Sequence, residues 1–96
     1  MKITKVVLRN KEIEDSRMKA IATITLDEAF VVTGIRLIQG DDKMFIAMPS
    51  RKISGGVYDD VAHPVNQETR KMFEDAIFGA YEEMKKTGEE IVKIDL

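Results

Sequence analysis

The alternation of apolar and polar residues in the first half of the chain predicts four β-strands separated by short polar turns. The predicted strands cover residues 3–10, 18–26, 30–39 and 44–48. In the second of them every other side chain is apolar, which marks one core face: Met18, Ala20, Ala22, Ile24 and Leu26. The polar segment Asp27-Glu28-Ala29 then joins two apolar runs, which favours an antiparallel hairpin between the second and third strands.

The third predicted strand has apolar side chains on both of its faces. Strict alternation places Val31, Ile35 and Leu37 on one face, and the other face holds three more: Phe30, Val32 and Ile38. One helix can bury only one face of a small sheet, so the second face needs cover. We expect a twofold homodimer that shares sheet surface or strands. The alternative is a monomer in which the loop and tail cover that face.

A long loop follows the fourth predicted strand. Pro49 ends that strand because proline cannot donate to a strand ladder, and residues 49–64 show no sustained hydrophobic period. The segment contains Gly55-Gly56, which is compatible with a small hairpin. Long loops in small domains often bind ligands, so this loop is the first candidate for a binding site.

A C-terminal amphipathic helix is the clearest predicted element. Asn66 is a suitable N-cap, Glu68 lies in the first turn, and Gly88 can end the helix in the left-handed conformation. The apolar residues at helical spacing are Met72, Phe73, Ala76, Ile77, Ala80, Tyr81 and Met84. Residues 1–88 are therefore expected to form one α+β domain with a small antiparallel sheet of about four strands. The tail, residues 89–96, is expected either to add an edge strand or to fray.

Composition limits the kinds of protein that the chain can be. Its 96 residues suffice for one domain, and 44% hydrophobic with 33% charged residues is typical of a chain that folds in water. No apolar run approaches the roughly 20 residues of a membrane helix, and no signal peptide is visible, so a cytoplasmic location is expected. The absence of cysteine excludes disulfides and thiol catalysis, and a single histidine leaves few metal ligands.

Charge is distributed unevenly along the chain. The net charge is −2, which by itself argues against a nucleic-acid-binding protein. The first 52 residues, however, carry ten basic and seven acidic side chains, whereas the remainder carries five basic and ten acidic. This asymmetry is weak evidence for a polarised surface.

The best candidate for chemistry is Ser50-Arg51-Lys52, because guanidinium and ammonium groups with a hydroxyl are suited to phosphate contact. Arg70 and Lys71 open the helix, where cations oppose the helix dipole unless an anion lies nearby. The competing interpretation is that these basic residues are simply solvated on the protein surface and bind no ligand. His63 near two aspartates suggests acid–base or metal chemistry, but no nucleophile accompanies it, so neither catalysis nor a metal or other cofactor is expected.

Three segments of the chain resemble the SpoVG family of small bacterial stage V sporulation and septation proteins: FVVTGIRLIQG, MFIAMPSRK and DVAHPVNQETR. The resemblance runs from Ile3 to about Lys86. It implies an antiparallel sheet with a C-terminal helix, dimerisation, and binding of DNA and RNA with roles in sporulation, septum formation and gene regulation. One departure is Asp59, since that position is commonly basic or neutral polar in the family.

The sequence therefore predicts a dimeric, cytoplasmic, non-catalytic regulator that binds DNA or RNA. Ser50, Arg51 and Lys52 would contact phosphates, and Arg70 and Lys71 would extend that contact. The alternative is an adaptor that binds division or sporulation proteins through its sheet edge or through the acidic face of its helix: Glu74, Asp75, Glu82 and Glu83.

Overall fold

The computed structural model describes residues 1–12 and 16–96, and it shows a helix packed on one face of an antiparallel sheet. The elements in chain order are β1 (Ile3–Asn10), β2 (Met18–Leu26), β3 (Phe30–Gln39), β4 (Met44–Ala47), β5 (Ser50–Lys52), a 3₁₀ turn (Ser54–Gly56), β6 (Tyr58–Asp60), α1 (Gln67–Thr87) and β7 (Ile91–Asp95). The main sheet has the order β4-β3-β2-β1-β7, and β5 and β6 form a separate hairpin. The predicted α+β class is confirmed, with five strands in the main sheet rather than about four.

The fifth strand is the C-terminal tail. Gly88 ends α1 with a left-handed backbone (φ 75°), and its N–H donates to the carbonyl of Met84 at 2.8 Å. The chain then turns back and β7 pairs antiparallel with β1, which places Val92 opposite Leu8. Val92 is buried under α1 whereas Lys93 points away, so the alternation of the tail matches its position at the sheet edge.

Gly34 changes which side chains of β3 face the core. Val32 lies opposite Ile24 and Ile35 lies opposite Ala22, so two residues of β3 are accommodated where β2 has one. This bulge, in which Gly34 has a φ of +76°, inverts the alternation and buries Val32 on the same side as Ile35. The predicted grouping of Val31 with Ile35 was wrong for this reason, since an even alternation assumes a regular strand.

The core lies between α1 and the face of the sheet that α1 covers. From the helix it takes Phe73, Ile77, Ala80 and Met84. The fully buried sheet residues include Leu8, Ile24, Ile35, Leu37 and Ile46, each contributing roughly 1.5–3 kcal/mol of burial energy. The predicted apolar stripe of the helix is thus confirmed, and so is the cap, because Asn66 Oδ1 accepts a hydrogen bond from the N–H of Thr69 at 2.8 Å.

The predicted small hairpin in the long loop is also confirmed. Strands β5 and β6 are joined through the Ser54–Gly56 turn, where Gly55 and Gly56 both have positive φ. Every residue in 51–61 is exposed, so the hairpin projects away from the helix and the main sheet. Within the described ranges, 1–12 and 16–96, no helix is long and apolar enough to cross a membrane.

Candidate nucleic-acid interface

The three residues of the Ser50-Arg51-Lys52 motif form strand β5 of the projecting hairpin. Ser50 pairs with Asp60, Arg51 with Asp59, and Lys52 with Tyr58. Because successive side chains of a strand point to opposite faces, Arg51 and Lys52 lie on different faces of the hairpin. The motif is therefore not one compact cluster, and Lys52 shares its face with Ser50.

Arg51 and Lys52 are exposed and make no ion pair within 4 Å among the residues that the structure describes. The ion pairs among the described residues all lie elsewhere in the chain: Arg17–Asp41, Lys19–Glu12, Arg70–Glu74 and Lys71–Asp75. Asp59, directly across the ladder from Arg51, lowers the positive potential on that face without forming a close bridge. Both cations of β5 thus keep their charged groups available to an external anion.

Arg36 also belongs to the candidate site, and its place there was not predicted from the sequence. Its Nη2 donates to Ser50 Oγ at 3.3 Å and to the carbonyl oxygen of Met48 at 3.4 Å. These bonds connect β3 of the main sheet to the start of the hairpin. The sequence signal was weak: Arg36 alternates with the buried Ile35 and Leu37, which predicts an outward side chain but not the β3–β4 register that brings it to Ser50.

Arg70 and Lys71 are both engaged within the protein. Arg70 Nη2 donates to the carbonyl oxygen of Ile46 at 2.8 Å, and its Nε lies 3.7 Å from Glu74 Oε2. Lys71 Nζ lies 3.0 Å from Asp75 Oδ2. Arg70 consequently reaches the end of β4, within two residues of the carbonyl bound by Arg36, whereas Lys71 stays on the exposed surface of the helix.

The histidine considered for acid–base or metal chemistry contacts the backbone. His63 Nδ1 lies 2.9 Å from the carbonyl oxygen of Pro64, which accepts a hydrogen bond when this nitrogen carries the proton. No group of three or more His, Asp or Glu side chains suited to a metal ion occurs among residues 1–12 and 16–96.

Together these features define a small helix-on-sheet α+β protein with an exposed hairpin that carries two cations and two carboxylates and is linked to the sheet by an arginine. The sequence model of the SpoVG family matches residues 1–83, so the chain belongs to the SpoVG family, as its three motif segments predicted.

Close relatives cover nearly the whole chain. The SpoVG protein of Bdellovibrio bacteriovorus is 48% identical over 95 residues, which is 98% of this chain and 86% of the relative. The SpoVG protein of Clostridioides difficile is 51% identical over 83 residues, or 86% of this chain and 89% of the relative. That of Caldicellulosiruptor bescii is 47% identical over 93% of this chain and its own full length. These relatives carry names that refer to septation.

Proposed function

We propose that this protein is a non-catalytic, cytoplasmic regulator that binds DNA or RNA through the hairpin formed by β5 and β6. The observation that carries the proposal is that Arg51 and Lys52 are exposed on a projecting element and have no close carboxylate partner among the described residues. Ser50, held by Arg36, adds a hydroxyl beside Lys52. The septation names of the relatives support a role in septum formation and sporulation.

The protein acts as a twofold homodimer in this proposal. Several apolar side chains on and after the hairpin are more than half exposed: Val57, Tyr58, Val61 and Val65. Such a group favours burial against a second copy, and a twofold axis would bring two hairpins together. Sedimentation at micromolar concentration tests this, because a single species of 10.9 kDa would contradict the dimer.

Arg70 and Lys71 extend the phosphate contact. Their pairs with Glu74 and Asp75 are i,i+4 pairs on an exposed helix surface, and such pairs contribute only about 0.3–0.5 kcal/mol. A phosphate group can therefore replace either carboxylate at little cost, while Arg70 keeps its bond to the carbonyl of Ile46.

The test is a gel shift of the double variant Arg51→Ala/Lys52→Ala. We expect the variant to lose binding while its melting temperature stays nearly unchanged, because both side chains are exposed. The matched control is Lys85→Ala/Lys86→Ala, which removes the same charge from the end of α1 and should bind normally. Unaltered binding by the Arg51/Lys52 variant would remove the site assignment.

Salt dependence is the second part of the test. If two hairpins neutralise about four phosphates, log K should fall against log salt concentration with a slope near −4. A flat response would reject phosphate contact as the source of binding.

An adaptor function is the second candidate, and the exposed carboxylates of α1 favour it. Asp75, Glu82 and Glu83 are exposed on the side of the helix away from the sheet. If the wild-type protein binds no nucleic acid at either low or moderate salt, and Glu82→Gln/Glu83→Gln abolishes its capture of division proteins, the adaptor replaces the regulator.

A further inference from the structure

The face of the main sheet opposite α1 is covered by no element of the described structure, and cationic side chains cross it. Three hydrogen-bonded registers place Arg36 beside Ile21, Ile21 beside Arg9, and Arg9 beside Ile91. Ala47 completes the row next to Arg36. The row thus crosses all five strands, and its two arginines are separated by one isoleucine. Neighbouring strands lie about 4.8 Å apart, so the backbones of Arg9 and Arg36, which are two strands apart, are about 10 Å from each other.

Two lysines add to the charge of this open face. Lys5 lies on β1 four residues before Arg9, and Lys93 lies on β7 between them, opposite Val7. Lys19 of β2 also lies on this face, but it is paired with Glu12 at 3.1 Å. Outside that pair the open face carries four cations, and the carboxylate that shares it is Asp95, opposite Lys5. None of these four cations forms an ion pair within 4 Å among residues 1–12 and 16–96. A protein of net charge −2 thus has one face with an excess of about three positive charges.

This charge decides what can cover the open face. A twofold dimer that paired two open faces would set the same cationic patch against itself, and opposed like charges disfavour such an interface. An acidic polymer gains from the same charges through release of its counterions. Charge complementarity therefore favours a polyanion over a second copy of the chain.

The apolar side chains between the cations favour single strands over duplex. Val7, Ile21 and Ile38 are half-buried, and Phe45 is 40% exposed beside Ile38. A duplex would present mainly phosphates to this five-stranded sheet, which is too wide to enter its grooves, and these side chains would then stay exposed to solvent. Unstacked bases can cover them while the phosphates reach the cations.

Arg36 connects the open face to the hairpin, because its guanidinium group bonds Ser50, on the hairpin face that also carries Lys52. We propose that the open face of the sheet, through Arg9, Arg36, Lys5 and Lys93, binds single-stranded nucleic acid that continues from the hairpin. This inference rests on the proposed function and extends its binding surface from the hairpin across the sheet.

The test measures fluorescence anisotropy of a labelled 12-nucleotide single strand and of the corresponding duplex. The variant is Arg9→Gln/Lys93→Gln, which removes two exposed cations and leaves the hairpin intact. We expect its affinity for the single strand to fall roughly tenfold or more, and the salt slope to decrease by about 1.4, twice the value of one single-strand phosphate contact. Duplex affinity should change less than threefold.

Two further variants make the outcomes separable. Lys85→Gln/Lys86→Gln loses the same charge on α1 and should bind the single strand like wild type. Thr23→Glu, at the centre of the open face opposite Val7, should weaken binding to a similar extent as the arginine–lysine variant. Thermal melting of each variant checks that it folds.

The result that overturns the inference is normal single-strand binding by both open-face variants. If Arg51→Gln/Lys52→Gln alone loses binding, the hairpin function stands and the open-face surface is wrong. If wild-type protein binds neither probe at low salt, the proposed function and the inference both fail.

Discussion

The guanidinium group of Arg70 donates a 2.8 Å hydrogen bond to the main-chain carbonyl oxygen of Ile46 and thereby ties the first turn of α1 to the edge strand β4. An edge strand presents unpaired backbone groups that can recruit another chain, and this bond occupies one of them. Arg36 binds the carbonyl of Met48, two residues further on. The two arginines thus fix the point where the chain leaves the sheet and enters the hairpin, so Arg70 has a structural role independent of any phosphate.

Arg70→Met should destabilise the fold by about 1–2 kcal/mol, because methionine replaces the aliphatic stem of the arginine but cannot donate to the Ile46 carbonyl. Urea unfolding followed by circular dichroism measures this. The control is Lys71→Met, whose exposed pair with Asp75 should contribute less than about 0.5 kcal/mol. Equal effects of the two substitutions would show that the bond to Ile46 contributes little.

Gly34→Ala should destabilise the protein by about 1–2 kcal/mol through backbone strain. Gly34 has φ +76°, and a Cβ there would meet nothing closer than Pro49 Cβ at 3.8 Å, so steric overlap is not the cause. Thermal unfolding measures the stability change, and Gly79→Ala is the control. Gly79 lies within α1 and has open space around it. Gly79→Ala should stabilise by about 0.5–1 kcal/mol. A neutral Gly34→Ala would mean that β3 can form without its bulge.

The tail should contribute to stability through its buried face. Val92→Ser replaces a buried side chain opposite Leu8 and should cost about 2 kcal/mol, whereas Ile91→Ser, 40% exposed on the opposite face, should cost less than half of that. Chemical denaturation of both variants makes the comparison. Similar losses would indicate that β7 does not hold its register on β1 in solution.

The helix and most strands were predictable because their signals are local. The cap at Asn66, the apolar stripe through Ile77 and the end at Gly88 all lie within one segment. The faces of β3 were not predictable, since the Gly34 bulge depends on the register with β2. The position of the tail depends on a free edge at β1, which no local pattern reveals.

The candidate site likewise combines features that could be predicted from the sequence with features that could not. The adjacent residues Arg51 and Lys52 are visible in the sequence as a basic pair, but only the hairpin register shows that they occupy opposite faces and that Asp59 lies across from Arg51. Arg36 was missed because its contact with Ser50 spans 14 residues of sequence and depends on the β3–β4 pairing.

The pairing of Arg51 with Asp59 leads to a last prediction about affinity. Asp59 is the cross-strand neighbour of Arg51, and its carboxylate opposes any phosphate that approaches that guanidinium group. If the hairpin binds phosphates, Asp59→Asn should strengthen binding about threefold at low salt, which corresponds to an exposed charge interaction of about 0.6 kcal/mol. The gain should shrink as salt rises, because exposed charges are screened.

Asp60→Asn is the matched control for this prediction. Asp60 lies opposite Ser50, on the hairpin face that carries Lys52, so its substitution removes the same charge one residue away. When Arg51→Ala is also present, the guanidinium group is absent. The gain in affinity from Asp59→Asn should then be no larger than the gain in affinity from Asp60→Asn. Anisotropy titrations of the single and double variants supply the coupling between positions 51 and 59. If the effect of Asp59→Asn is the same with and without Arg51, the carboxylate repels nucleic acid generally and Arg51 is not the phosphate contact.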